Sequence, residues 1–238
     1  MQSGIAGTGS LSPVTLVMML ADARLPVGGH VHSAGLEPAL GAGMPANRVY
    51  DYLVGRAHSV SLVEAGTAVV ARHVAHATSG DDQVAAKLAT VEAAWAARTP
   101  SRALREVSRS LARGYIRLGN RLWPGHAGIE ACSASSAPFS RPVVLGAIAA
   151  AADLDAENLV RLVVYDDAQT VAAAVLKLEP LDPAVPAGWV MDACAAVEHL
   201  VPLIAALTSP DAIPASGAPQ TEEWAEAHSL TTKRLFRA

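Results

Sequence analysis

The sequence predicts an all-α fold, a single-domain helical bundle of about seven helices with a flexible N-terminal arm and a C-terminal tail. Hydrophobic residues make up 51% of the 238 residues but aromatic residues only 4%, so Ala, Val and Leu dominate the apolar content. Apolar residues recur at the three-and-four spacing of one helix face, and the strict alternation of a strand is nearly absent. A chain of this length is expected to form one core.

Cap and breaker residues place the first helices. Residues 1–11 are rich in Gly and Ser and predict a flexible arm. The Ser-Pro pair at 12–13 is an N-cap followed by a first-turn proline, which predicts a helix to about Asp22. The Pro-Val-Gly-Gly run at 26–29 then breaks that helix, and Ser33 is positioned to cap the next, short one.

The middle of the chain predicts three long helices and one loop. The first helix covers about 48–77, with an interruption near Ser59, and the second covers 81–98. A Thr-Pro pair at 99–100 repeats the cap and first-turn signal and predicts a helix to about Leu122. Residues 123–138 are expected to form a loop, because proline and glycine breakers cluster there.

Three further helices complete the predicted all-α domain, which we place at residues 12–208. They cover 140–152, 155–178 with an Asp155 N-cap, and about 188–207. From 209 the composition changes to Pro, Ser, Gly and Ala, which predicts a linker, and the chain then resumes as a tail to residue 238. The linker and tail together span 209–238.

Charge and composition exclude several classes of partner. There are 18 basic and 22 acidic residues and no long basic run, so binding to nucleic acid is not expected. The longest uninterrupted apolar runs, 143–152 and 200–207, are too short to cross a bilayer, so no membrane association is expected. Cys132 and Cys194 form no short metal-ligand spacing, which suits a reducing cytoplasm.

Common catalytic and nucleotide motifs are missing from the sequence. No Gly-Lys pair exists, so the phosphate-binding GxxxxGK[ST] loop is absent. The same holds for the GxSxG esterase turn, the HExxH zinc motif and the EF-hand loop. We therefore expect no cofactor and no enzymatic activity from these families.

The densest group of unusual residues spans 22–37 and is named the signature loop below. A structural interpretation accounts for it: Asp22 pairs with Arg24, the glycines adopt positive φ, and Ser33 caps a helix. From elementary chemistry, this structural interpretation is favoured over a metal site.

A functional interpretation of the same loop remains open. His30 and His32, together with Glu37, have the chemistry of a metal site or of a polar recognition surface. The metal version is the weaker of the two, because no residue is an obvious second-shell partner for the imidazoles.

The run LADARLPVGGHVHSAGLEPALGAG at 20–43 resembles the signature of the urease accessory protein UreF family. That pattern is L-x-D-x-x-L-P-x-G-x-x-x-H-S-x-G-L-E. The matching positions are Leu20, Asp22, Leu25, Pro26, Gly28, His32, Ser33, Gly35, Leu36 and Glu37.

Other parts of the chain add to the resemblance. The C-terminal ending, His228 followed by Arg234, Leu235 and Phe236, is similar to the family's H-x-x-x-x-x-R-L-F. Weaker matches between the two ends are Arg105, Ser108, Arg113, Ala173, Lys177, Pro180 and Leu181. The chain departs from the family pattern at Ala112, at Arg141 and at 182–184.

The resemblance implies an all-α, non-catalytic assembly factor of the cytoplasm. Such factors act with a scaffold accessory protein and a GTPase nickel chaperone to deliver nickel to apo-urease. They are also suited to regulate GTP hydrolysis by the chaperone. They tend to form homodimers. This implication explains the missing nucleotide motif, because the GTP chemistry belongs to the partner.

Two segments are the candidate partner-binding surfaces, namely the signature loop and the C-terminal tail. The tail carries apolar side chains that can order on a partner, although packing back on its own bundle is the alternative. The candidate residues are Asp22, Arg24, Pro26, Gly28, His32, Ser33, Gly35, Glu37, Lys177, Trp224, His228, Leu230, Arg234, Leu235 and Phe236. His30 and His32 are the only metal candidates.

Two polar patterns inside helices also have two interpretations each. The polar residues at 166–170 interrupt an apolar helix and form either a hydrogen-bonded layer or a water-filled passage. Arg102, Arg105, Arg109 and Arg113 follow one helix face, as either an ion-paired stripe or a surface for an acidic partner.

Two rival functions remain at this stage. One is a metal-dependent enzyme that uses His30, His32 and Glu37, and the other is a helical scaffold unrelated to urease.

Overall fold

A computed structural model describes residues 11–78, 81–231 and 235–236, without the side chains of His30 and Asp81. Within these residues the regular structure is entirely helical, which confirms the predicted all-α class. The helices are α1 Pro13–Leu20, α2 Leu36–Gly41, α3 Val49–Ala57, α4 Val60–Ala77, α5 Asp81–Arg98, α6 Arg102–Leu122, α7 Ala127–Ala134, α8 Arg141–Ala151, α9 Ala156–Leu178, α10 Ala184–Val197, α11 Val201–Ala205 and α12 Pro219–Ser229.

Ten of these helices have eight residues or more, which exceeds the expected number of about seven. Four short 3-10 turns join them, at Gly29–Val31, Ala46–Arg48, Glu198–Leu200 and Pro210–Ala212. The excess arises because the predicted segment 48–77 is divided into α3 and α4, because α7 was not predicted, and because the tail forms α12.

Local capping chemistry placed several helix starts correctly. The Ser12 hydroxyl accepts the Thr15 N–H at 3.2 Å, and a proline follows at the first helical position. Asp155 accepts the Asn158 N–H at 2.9 Å and caps α9. The predicted interruption near Ser59 is also confirmed, since α3 ends and α4 begins there.

Other sequence predictions were wrong. The predicted loop at 123–138 contains α7, whose Ile129 and Cys132 are buried in the core. The predicted Thr-Pro start of α6 is replaced by Ser101, whose hydroxyl accepts the Leu104 N–H at 3.2 Å. The helix predicted from about residue 188 begins at Ala184. Tertiary burial and a second capping residue outweighed the local signals in these places.

Helix α4 lies at the centre of the bundle and packs against α3, α5, α8, α9 and α11. Its closest neighbour is α8, and the contact depends on Gly146. A Cβ at that position would lie 2.3 Å from the carbonyl oxygen of Ala68, so only glycine allows the two backbones to approach this closely. The core around this contact consists mostly of Ala, Val and Leu.

The chain after α11 crosses the body before it forms α12. Ile213 is 3% exposed, and the Arg98 guanidinium donates to the carbonyl oxygens of Ile213 and Asp211 at 3.0 and 3.2 Å. Helix α12 then packs against α2 and α6. The described part of the tail therefore lies on the bundle, while the predicted arm lies outside the described residues except for Leu11.

The stretch Ala184–Ala205 is the one helical run in the described segments that is long and apolar enough to cross a bilayer, and 28% of its apolar window is buried. Length and composition alone are weak evidence for a span, and the Glu198–Leu200 turn breaks the helix. Asp192, Glu198 and His199 interrupt this stretch, so it contains no long uninterrupted apolar run.

Candidate partner-binding site

The signature loop is ordered by its own short-range contacts. The Arg24 guanidinium donates to Asp22 at 2.8 Å, and this hydrogen bond lowers the pKa of Asp22 to about 2. Gly28 and Gly35 have φ values of 87° and 81°, in the left-handed region. The Ser33 hydroxyl accepts the Glu37 N–H at 3.2 Å. The structural interpretation is therefore confirmed for the Asp22–Arg24 pair and for two of the glycines, since Gly29 lacks a positive φ. Ser33 bonds to the first turn of α2, but the N-cap position itself is Gly35.

The loop is also tied to α3. The Tyr52 hydroxyl donates to the carbonyl oxygen of Ala34 at 2.8 Å. A Cβ on the neighbouring Gly35 would lie 2.7 Å from that hydroxyl oxygen, so the loop packs directly on the ring. These contacts hold Glu37 in a fixed position at the start of α2.

Glu37 joins the two ends of the chain. Its carboxylate accepts the backbone N–H groups of Leu235 and Phe236, both at 2.7 Å. The Nε2 atom of His228 lies 3.4 Å from the same carboxylate, within ion-pair range but without a hydrogen bond. Charge-assisted hydrogen bonds of this kind are stronger than neutral ones.

Phe236 is anchored from a second direction. Its side chain is 4% exposed, and the Lys177 ammonium lies 5.0 Å from the centre of its ring, in the geometry of a cation–π contact. By contrast, Leu235 is 63% exposed and Leu230 is 85% exposed. The buried Phe236 thus fixes this end of the described chain. The neighbouring Leu235 and, at the end of α12, Leu230 face solvent.

The remaining candidate residues fall into three groups. Three candidates in the signature loop are buried, namely His32, Ser33 and Gly35. Arg24 and Pro26 are exposed, and Asp22, Gly28 and Trp224 are half-buried. Arg234 lies outside the described residues. The structure therefore brings Glu37, Lys177, His228, Leu235 and Phe236 into one cluster, with Arg24 and Pro26 elsewhere on the loop surface.

Helix α12 is held by its acidic side chains. Glu222 accepts the N–H of Ser101 at 2.6 Å, and Glu226 accepts the Ser101 hydroxyl at 2.6 Å and the Ala103 N–H at 2.8 Å. Two of these three donors are backbone N–H groups at the start of α6, where no partner within the helix is available and negative charge is favourable. The hydrogen bond from Ser101 lowers the pKa of Glu226, whereas burial raises that of Glu222.

A cavity of 320 Å³ lies between the signature loop, α6, α9 and the tail. Its floor contains buried ion pairs that sequence reasoning found only in part. Arg56 donates to both Asp167 oxygens at 2.5 and 3.1 Å, and Ser61 donates to the same carboxylate at 2.8 Å. Arg141 pairs with Asp166. The polar residues of α9 are thus a hydrogen-bonded layer that also lines the cavity.

The electrostatics of this floor differ from one carboxylate to the next. Burial alone would raise the pKa of Asp167, but the adjacent Arg56 and its hydrogen bonds outweigh burial and lower it. Burial raises the pKa of Glu64, although Trp95 donates to it at 2.8 Å and Arg141 lies 3.8 Å away. Arg56 and Arg141, which lie in helices with many apolar residues, were the sequence signal that could have indicated these buried ion pairs.

The described side chains do not form a metal-binding site. Among the described side chains, no three His, Cys, Asp or Glu residues are placed to hold a metal ion. His32 is 7% exposed, and Glu37 is occupied by the C-terminal backbone. The side chain of His30 lies outside the described atoms.

Comparison with known proteins identifies the family. A model of the UreF family matches residues 46–194, which contain neither the signature loop nor the C-terminal ending. The urease accessory protein UreF of Mycobacterium sp. (strain JLS) is 37% identical over 175 residues, covering 73% of this chain and 76% of the relative. Those of Mycobacterium marinum and Mycobacterium tuberculosis are 35% and 34% identical, covering 73% of this chain and 76% and 77% of the relatives. Since the two ends that resemble the family meet at Glu37 and the segment between them matches its model, the chain belongs to the UreF family of urease accessory proteins.

Proposed function

We propose that this chain is a non-catalytic adaptor in the cytoplasm that takes part in delivering nickel to apo-urease. Its proposed partners are a scaffold accessory protein, a GTPase nickel chaperone and apo-urease itself, and its proposed form is a homodimer. Family membership supports the role in urease maturation. The observation that carries the proposal is the cluster in which Glu37 holds the chain end, with the exposed Leu235 inside it and the exposed Leu230 two positions after its member His228.

The cluster has the composition of a binding surface. Leu230 and Leu235 are large apolar side chains that face solvent, and Trp224 is half-buried on the same tail. Interfaces gain most of their energy from a few such anchors when these are buried by a partner. The buried Phe236 and the Glu37 carboxylate fix the backbone in advance, which reduces the entropy lost on binding.

In this proposal the adaptor acts by binding one state of the chaperone better than another. A protein shifts an equilibrium between two nucleotide states only by its difference in affinity for them. To shift the balance between the two nucleotide states, the tail surface must bind the GTP form and the GDP form with different affinity. To regulate the rate of GTP hydrolysis, it must also bind the transition state of the chaperone better or worse than the GTP form.

The test is urease activity in cells that contain the cognate urease and every other accessory protein, with limiting nickel. The proposal predicts that activity and the nickel content of purified urease both fall when this chain is omitted. Equal activity and equal nickel content with and without the chain would contradict it. A helical scaffold unrelated to urease would give that second result.

A further inference from the structure

Helix α6 carries an exposed row of three arginines, Arg113, Arg117 and Arg121, which are spaced one turn apart and are named the arginine row. Within the described parts of the chain, no carboxylate lies within ion-pair distance of any of them. Arg113 donates to the Ser110 hydroxyl at 3.0 Å. The row therefore presents three positive charges that no carboxylate of the described residues neutralises.

Exposed arginines elsewhere in the described segments are neutralised. Arg24 lies 2.8 Å from Asp22 and Arg48 lies 2.7 Å from Asp51. The same holds for Arg102 with Glu106 at 2.8 Å, and for Arg161 with Glu198 at 2.7 Å. In a chain of net charge -4, an unpaired basic row on one helix is a local exception.

The row borders a groove of 460 Å³ between α6 and the signature loop. Pro26, Gly28 and Val31 line one side, and Arg113 and Arg117 line the other. The loop lies directly on the helix, because a Cβ at Gly114 would be 2.5 Å from the carbonyl oxygen of Val27. The groove is thus formed by packed backbone and combines an apolar wall with a basic edge.

The spacing of the row fits an extended acidic segment. Residues four apart on a helix are separated by about 6 Å along its axis. Alternate side chains of an extended chain are separated by about 6.6 Å on one face. Carboxylates at every second position of such a segment can therefore follow the arginines, while apolar side chains on its other face meet the groove wall.

We propose that the arginine row and the adjoining groove bind an acidic, extended segment of a protein partner. The inference rests on the proposed function for the choice of partners to test, and it adds a second surface, on α6, to the tail surface. Nucleic acid is disfavoured because the whole chain is acidic, with a net charge of -4, and the row supplies only three positive charges for contacts to phosphates.

The experiment compares two triple variants of the full chain. The first is Arg113→Gln, Arg117→Gln and Arg121→Gln, and the control is Arg48→Gln, Arg102→Gln and Arg161→Gln. Both remove three positive charges from solvent-accessible side chains, Arg48 in a 3-10 turn and the others on α-helices, and glutamine has nearly the helix propensity of arginine. Binding to the purified scaffold protein, nickel chaperone and apo-urease is measured separately, with a short single-stranded RNA as a fourth probe, and folding is checked by circular dichroism.

We expect the first variant to weaken binding to at least one protein by about tenfold and the control by less than about twofold. This difference should disappear near about 0.5 M salt, where exposed charges are screened. Equal effects of the two variants, no effect of either, or loss of RNA binding alone would overturn the inference. If the wild-type chain binds none of the proteins, the proposed function itself fails.

Discussion

Glu37 and Phe236 lie 199 positions apart in the sequence, and the carboxylate of the first accepts the backbone N–H of the second at 2.7 Å. A second such bond goes to Leu235, and the Phe236 ring is buried beside Lys177. The N-terminal signature loop and the C-terminal ending, which resemble the family separately, are therefore parts of one structure.

Replacing Glu37 by Ala should release the chain end. Each of the two lost hydrogen bonds to the charged acceptor is expected to lower the free energy of unfolding by about 1.5–3 kcal/mol. Amide exchange at Phe236 should accelerate by more than it does in α12. Denaturant unfolding and hydrogen exchange measure the two effects, with Glu223→Ala on exposed α12 surface as the control. Unchanged exchange at Phe236 would contradict the role of Glu37.

Asp167→Asn should be strongly destabilising. It leaves the buried Arg56 without its counter-charge, and loss of one partner of a buried ion pair costs about 3–5 kcal/mol. The pKa of Asp167 is lowered in the folded state, so its contribution is present above the unfolded pKa and is lost as pH falls through the folded value. The difference in stability between wild type and variant should therefore shrink below about pH 4, near the unfolded pKa. A difference that is constant from neutral to acidic pH would argue against this assignment.

Glu64→Gln should have a much smaller effect at neutral pH. Glutamine keeps an oxygen to accept the Trp95 N–H, and Arg141 keeps Asp166. Burial raises the pKa of Glu64, so its favourable contribution exists at low pH and is lost as pH rises through the folded value. Thermal unfolding of both variants at neutral pH compares them directly, and an equal loss of stability would show that the two carboxylates are not distinguished in this way.

Gly146→Ala should weaken the contact between α4 and α8. The added methyl group would meet the backbone of Ala68, and overpacking of this kind costs about 1–3 kcal/mol. Gly188→Ala on α10 is the matched control, because a Cβ there meets nothing within 4 Å. Removing a glycine from that helix should stabilise the protein by about 0.5–1 kcal/mol. Shifts of the same sign in chemical denaturation would refute the packing argument.

Helix boundaries could be predicted where one side chain decides them. Ser12 and Asp155 each bond to an N–H three residues later, so the signal is local and complete in the sequence. Helix α7 could not be predicted in the same way, because its N-cap His126 makes no side-chain cap and Pro124 with Gly125 precede it. Burial of its apolar face stabilises that helix, and burial depends on the rest of the fold.

The candidate site was predicted as a set of residues and not as a geometry. Glu37 was selected, but its partners are backbone N–H groups, which carry no sequence signal. A hydrogen-bonded layer was one of the two interpretations of the polar residues of α9, yet the identity of Arg56, 111 positions from Asp167, depends on the packing of α3 on α9. Contacts between distant segments are set by the fold as a whole.

The most direct test of the account measures urease activity at limiting nickel in cells that carry a Leu230→Ser, Leu235→Ser variant of this chain. The control is Leu11→Ser, Leu203→Ser, which changes two apolar side chains that are 58% and 66% exposed elsewhere on the surface. The account predicts that the tail variant accumulates as a folded protein and loses urease activation, while the control retains it. Full activation by the tail variant, at the same protein level, would contradict the claim that the surface beside Glu37 binds the partners.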